Sequence, residues 1–196
     1  MHPAVILSAV RGRPVTLLLC LLAAGALSSC GGGGDFSGEP ELPEGYETFS
    51  TAGIAFAYPG DWDVAERTDA DGAPAVEITP PEKAKTPYGL ISLSISPGAG
   101  ERFESLADQR RIVIRDVNDA EIESDEPVEI PGAREALRAS TVTPPGRGTD
   151  PVEVRSNSLD VLRENGDVVV LTAAAPQREG SEFDVEAVVS SFRLED

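Results

Sequence analysis

Apolar residues alternate through Ile54-Ala55-Phe56-Ala57-Tyr58 and stop at Pro59-Gly60, where Pro presets a turn and Gly relaxes it. The alternation predicts a strand, with Trp62 to Arg67 as its antiparallel partner and Tyr58 and Trp62 packed together at the sheet end. Asp71-Gly72 reads as a hairpin tip leading into Ala75 to Thr79. Leu90 to Ser96 is a further strand with an aliphatic face and a partly polar one. The period then changes. Phe103, Leu106, Ala107, Arg110, Val113, Ile114 and Val117 recur at helical spacing, which predicts one amphipathic helix over 102–117 with Arg110 at the edge of its stripe. Ala120 to Ile130 alternates acids with apolar residues and reads as an acidic strand, followed by Glu135 to Thr143 and a break at Pro144 to Gly148. Val152 to Glu164 and Asp167 to Ala174 flank Asn165-Gly166, the pair that suits a type I′ hairpin. Phe183, Val185, Val188, Val189 and Phe192 predict a closing helix. Strands, helix, strands, helix is an α+β order, with helices segregated from an antiparallel sheet.

One apolar run fits none of these periods. Val15 to Leu27 is a run of 13 residues, apolar but for Thr16, preceded by Arg11 and Arg13 and free of acids. A membrane-spanning helix needs about 20 residues, whereas this length and flank suit the core of a secretory signal. Leu27-Ser28-Ser29-Cys30 follows and resembles a bacterial lipobox. The resemblance implies cleavage before Cys30, diacylglyceryl attachment to its sulfur, and a protein held at the cell membrane facing outside the cytoplasm. An ordinary secretory signal is the alternative. The chain then divides into a signal peptide (1–29), a Gly/Pro/Glu tether (30–45) and a globular domain (46–196). The tether is too poor in apolar side chains to repay ordering.

Composition narrows the chemistry. The 196 residues carry 34 acidic and 16 basic side chains, for a net charge of −18. Such a charge argues against nucleic acid as a partner. Removing 1–29 takes two arginines and no acid, so the charge falls by two more, and it also takes the single His and Cys20. A chain without His, whose remaining Cys is acylated, cannot build a Ser-His-Asp or Cys-His catalytic set, a common zinc site or an internal disulfide. The 14 Arg to 2 Lys suggest a GC-rich, actinobacterial coding sequence. Lys83 and Lys85 lie in a Pro-rich loop unsuited to an activated Ser-Lys dyad. Asp69-x-Asp71-Gly72 begins like a calcium loop, but the twelfth position is Pro80 where a bidentate Glu is required. The expectation is no catalytic residue, no metal and no cofactor.

Gly53-x-x-Phe56-x-Tyr58-Pro59-x-x-Trp62-x-Val64, with the ending Asp184-x-x-Ala187-Val188-Val189-x-Ser191-Phe192-Arg193-Leu194, resembles PsbP-like domains, among them actinobacterial envelope lipoproteins of the LpqN type. The resemblance implies an α/β/α sandwich around an antiparallel sheet and no single activity. Two surfaces are candidates for a ligand or partner. Tyr58 and Trp62 are core aromatics that can also face a ligand. Glu121, Glu123, Asp125 and Glu126 form either a cation-attracting patch or a solvated edge strand whose charge deters aggregation. The leading expectation is a non-catalytic binding or adaptor lipoprotein whose partner is an envelope protein or small ligand. The alternatives are a carboxylate-dependent hydrolase of envelope material and an assembly factor for a membrane complex.

Overall fold

In a computed structural model of the protein, the described residues are 42–68, 72–81, 89–145, 152–177 and 183–195. The signal segment, Cys30 and most of the tether lie outside them, as do Asp71, Lys83 and Lys85. Among the described residues there are ten strands and two α-helices: β1 (Tyr46–Thr51), β2 (Ile54–Pro59), β3 (Asp63–Thr68), β4 (Pro74–Thr79), β5 (Leu90–Ser96), α1 (Phe103–Ile112), β6 (Glu121–Pro127), β7 (Ala133–Thr143), β8 (Val154–Arg163), β9 (Val168–Pro176), α2 (Val185–Ser190) and β10 (Arg193–Leu194). They form an α+β fold with two antiparallel sheets. The larger has the order β3-β4-β5-β9-β8-β7-β6 and the smaller β1-β2-β10.

The pairing of β2 corrects the expected hairpin. Trp62 does not begin its partner strand. Instead β2 pairs with β1 on one side and with β10 on the other, while β3 pairs with β4 in the larger sheet. The physical reason is burial. Ile54, Ala55 and Phe56 are fully buried, so β2 is a central strand needing neighbours on both edges, whereas β3 is nearly all exposed. Ala52-Gly53 closes β1–β2 as a two-residue loop with φ of 50° and 73°, the positive pattern of a I′ turn.

That geometry is absent where it was expected. At Asn165-Gly166 only the Gly has positive φ, at 84°. Gly166 N donates to Arg163 O (3.0 Å) and Arg163 N to Asp167 O (2.9 Å), giving a three-residue loop with a Gly bulge. Asn165 Oδ1 accepts from the Asp167 amide at 3.0 Å, a side-chain turn that needs no left-handed Asn.

The two helices lie on opposite faces of the larger sheet. On one face, Val185, Val188, Val189 and Phe192 pack with Leu159, Val161, Val169, Leu171, Ile91, Ile78 and the buried residues of β2 in the main core. Each such side chain is worth about 1.5–3 kcal/mol of burial. On the other face, Phe103 packs with Ala99, Leu162 and Val168 in a smaller cluster. The single helix expected over 102–117 is three pieces: a 3-10 turn at Gly100–Arg102, α1, and a π turn at Val113–Val117. Arg110 is not at the stripe's edge. It points into the sheet, where Nη1 reaches Ser158 Oγ (2.8 Å) and Asp160 Oδ1 (2.6 Å).

Candidate functional site

Alternation along β7 and β8 sets Arg138, Ser140, Arg155 and Asn157 on the face that carries α2. Cross-strand register fixes this, with Ser140 opposite Asn157, Val142 opposite Arg155 and Arg138 opposite Leu159. Toward the sheet centre the same face is apolar, through Ala136, Leu159 and Val161. Where α2 begins it turns polar. A cleft of about 580 Å³ opens there, walled by the four β7 and β8 residues, Gln177, and the segment Phe183 to Glu186.

Glu186 organises this cleft. Its Oε2 accepts from Arg138 Nη2 and from Asn157 Nδ2 (2.9 Å), and its Oε1 from Ser190 Oγ (2.6 Å). Asp184 caps α2, with Oδ1 accepting from Glu186 N (2.9 Å) and Ala187 N (3.2 Å). Both acids thus hold protein groups, Glu186 the side chains of β7, β8 and Ser190 and Asp184 the first amides of α2. Arg155 pairs with Glu123 at 3.3 Å. Three buried polar atoms nevertheless lack a hydrogen-bond partner among the described residues: Arg138 Nη1, Arg155 Nε and Asn157 Oδ1. Asn157 is 5% exposed and the Arg138 side chain 12%. An unmet buried polar atom costs about 1–3 kcal/mol, and three around one cleft make it the candidate ligand site; Arg110 Nε and Nη2, beneath α1, are in the same position.

Of the candidates drawn from sequence, the aromatics split. Tyr58 meets Phe49 edge-on at 6.4 Å and donates to Glu47 Oε2 at 3.3 Å. Trp62 stacks on Phe183 at 4.4 Å, behind the cleft wall. Both are half-buried against the main core. The acidic residues occupy β6, an edge strand, and diverge. Glu121 and Glu126 are exposed. Glu123, at a bulge, turns to Arg155 and accepts from Ser140 Oγ at 3.3 Å. Asp125 turns to the opposite face and pairs with Arg111 at 2.5 Å. Of these candidates, Trp62 reaches the cleft through Phe183 and Glu123 through Arg155 and Ser140. Arg138, Asn157 and Glu186 were missed because strand pairing, not sequence proximity, assembles them.

The other electrostatic feature is Asp160, beneath α1. Burial pushes its carboxyl up to about 6, against the pull of Arg110. It lines none of the clefts described here, so the pair anchors the helix. Other depressions are a cleft of about 890 Å³ beside Arg163 and Arg193 and an apolar one of about 350 Å³ over Ala75, Leu90 and Ser92. Among the described residues, no three His, Cys, Asp or Glu side chains group as a metal site, and no helix is long and apolar enough to cross a membrane.

No protein-family model matches the chain, and no curated protein does. Among solved structures it is similar to a crystal structure from Bacteroides thetaiotaomicron VPI-5482 at 1.50 Å resolution, with 15% sequence identity and a TM-score of 0.45. The match covers 78% of this chain and 49% of the other, so the chain spans about half the length of that structure.

Proposed function

We propose that this protein is a non-catalytic binding lipoprotein of the cell envelope, anchored through diacylglyceryl on Cys30 and holding its ligand in the cleft between β7, β8 and α2. The observation that carries the binding assignment is the trio of unmet polar atoms around a 580 Å³ cleft whose two acids are already engaged. That volume lies in the ordinary range for small-ligand sites, about 300–1,000 Å³. The anchor rests on Leu27-Ser28-Ser29-Cys30 after the 13-residue apolar run. The PsbP-like α/β/α reading draws support from helices on both faces of an antiparallel sheet.

Two measurements test this. Cys30→Ser should move the protein from the membrane fraction to the soluble fraction; retention in the membrane overturns the anchor. A photo-crosslinker at Gln177, on the cleft wall, should capture a discrete adduct in intact cells, whereas one at exposed Glu66 on β3 should not. Equal labelling from both positions removes the binding assignment.

A further inference from the structure

Resting on that binding assignment, we infer that the cleft takes a neutral, hydroxyl-rich ligand, a segment of a glycan, through Arg138, Arg155 and Asn157 with Phe183 as its apolar wall. The charge balance points there first. Two arginines and two acids line the cleft, and each arginine already has a carboxylate partner, Glu186 for Arg138 and Glu123 for Arg155. Among the described residues of the cleft, no unpaired cation awaits a phosphate or carboxylate, and the −18 chain repels anions at longer range. The acids offer a cation little, because Asp184 holds the α2 amides and Glu186 accepts three hydrogen bonds.

What remains unmet is mixed. Arg138 Nη1 and Arg155 Nε are donors, while Asn157 Oδ1 is an acceptor. A ligand satisfying all three must both accept and donate, at short spacing and without net charge. Neighbouring hydroxyls do this; a carboxylate only accepts and an ammonium only donates. None of the three atoms reaches the cleft surface in the free protein, so engagement needs a side-chain rotation. Arg155, whose side chain is 41% exposed, has the room for it.

The fourth wall is aromatic. Phe183 lines the cleft and is backed by the Trp62 ring at 4.4 Å and an interplanar angle of 40°. A rigid aromatic face beside planar amide and guanidinium groups suits a pyranose ring, which shows C–H groups on its faces and hydroxyls on its rim.

Trp62 is the sole tryptophan of the chain, so its emission reports on Phe183. The experiment titrates the purified protein with maltotriose, cellotriose and chitotriose, and separately with acetate and inorganic phosphate, at low and high salt. The expected result is a saturable change in emission with at least one trisaccharide, unaltered by salt, and weakened about tenfold in Arg155→Ala, the loss of a hydrogen bond from a charged donor. Arg155→Gln, which keeps a planar donor, should fall between them, and melting curves check that both variants fold. A trisaccharide response indifferent to Arg155→Ala overturns the placement in this cleft. A response confined to acetate or phosphate and fading with salt overturns the neutral ligand but leaves a binding cleft. Silence toward every probe overturns the glycan inference alone, because the Gln177 crosslink decides separately whether anything binds there.

Discussion

Arg110 reaches across the interface between α1 and the larger sheet to place Nη1 2.6 Å from Asp160 Oδ1, in a site where the carboxylate side chain is only 5% exposed. Nε and Nη2 of the same guanidinium find no partner among the described residues. The pair is therefore incompletely solvated by protein, and burial outweighs attraction in setting the Asp160 carboxyl near 6.

A carboxyl raised in the folded state favours the fold when protonated. Its contribution is fully present below the unfolded value near 3.8 and is lost as pH rises through about 6. Asp160→Asn mimics the protonated form at every pH. Its stability relative to the parent should therefore rise between pH 4 and pH 7, by at most about 3 kcal/mol. Urea melts across that range check it. Arg110→Met should cost about 3–5 kcal/mol at pH 7, since it strands the carboxylate, and markedly less at pH 4.

Ser191 Oγ accepts from the Ala57 amide and donates to Val188 O, both at 2.7 Å, with the residue buried. Ser191→Ala leaves a buried β2 amide unmet and should lower stability by about 1–3 kcal/mol. Faster hydrogen exchange at Ala57 than at its β2 neighbours locates the loss.

Gly89 lies against Trp62. A Cβ built there would stand 2.5 Å from Cη2 and 3.0 Å from Cζ2 of the indole. Gly89→Ala should displace the ring from Phe183 at a cost of about 1–3 kcal/mol, with a shift in Trp62 emission as the direct reading. An unchanged spectrum would show that the backbone at 89 yields instead.

Ala52 carries φ of 50°, a conformation costly for any residue with a Cβ. Ala52→Gly should stabilise by up to about 1 kcal/mol, and Ala52→Val should destabilise by more. Thermal melts distinguish them. Gly53 admits no such exchange, because a Cβ there would meet Arg163 Nη2 at 3.0 Å and Glu195 O at 3.2 Å.

Local pattern made much of this fold legible. The strands β4 and β5 carry clean alternation, β7, β8 and β9 are marked by their apolar runs and flanking turn residues, and the acidic β6 is the edge strand its charges suggest. The small sheet was not legible. β1 is half-exposed, with its apolar side chains too sparse to signal, β10 has two residues, and the partners of β2 depend on contacts far apart in the chain. Propensity also misled at Asn165-Gly166, where an Asn side-chain turn replaced the left-handed backbone. The cleft was hidden for a related reason. Arg138 and Glu186 are 48 residues apart, and Asn157 and Glu186 are 29 apart. The buried charge at Asp160, within Leu159-Asp160-Val161-Leu162, was the one visible irregularity, and it belongs to the helix anchor.

The pairing of Ile54 with Leu194 and Ala55 with Arg193 joins the two ends of the domain. Any process that delivers the chain from one end, such as synthesis or threading through a pore, supplies β2 long before β10. Until residues 191–194 arrive, Ile54 and Ala55 have an open edge and the Ala57 amide lacks Ser191. The fold thus acts as a clasp fastened last. A chain made from its N-terminal end therefore completes the small sheet only after every strand of the seven-stranded sheet is present.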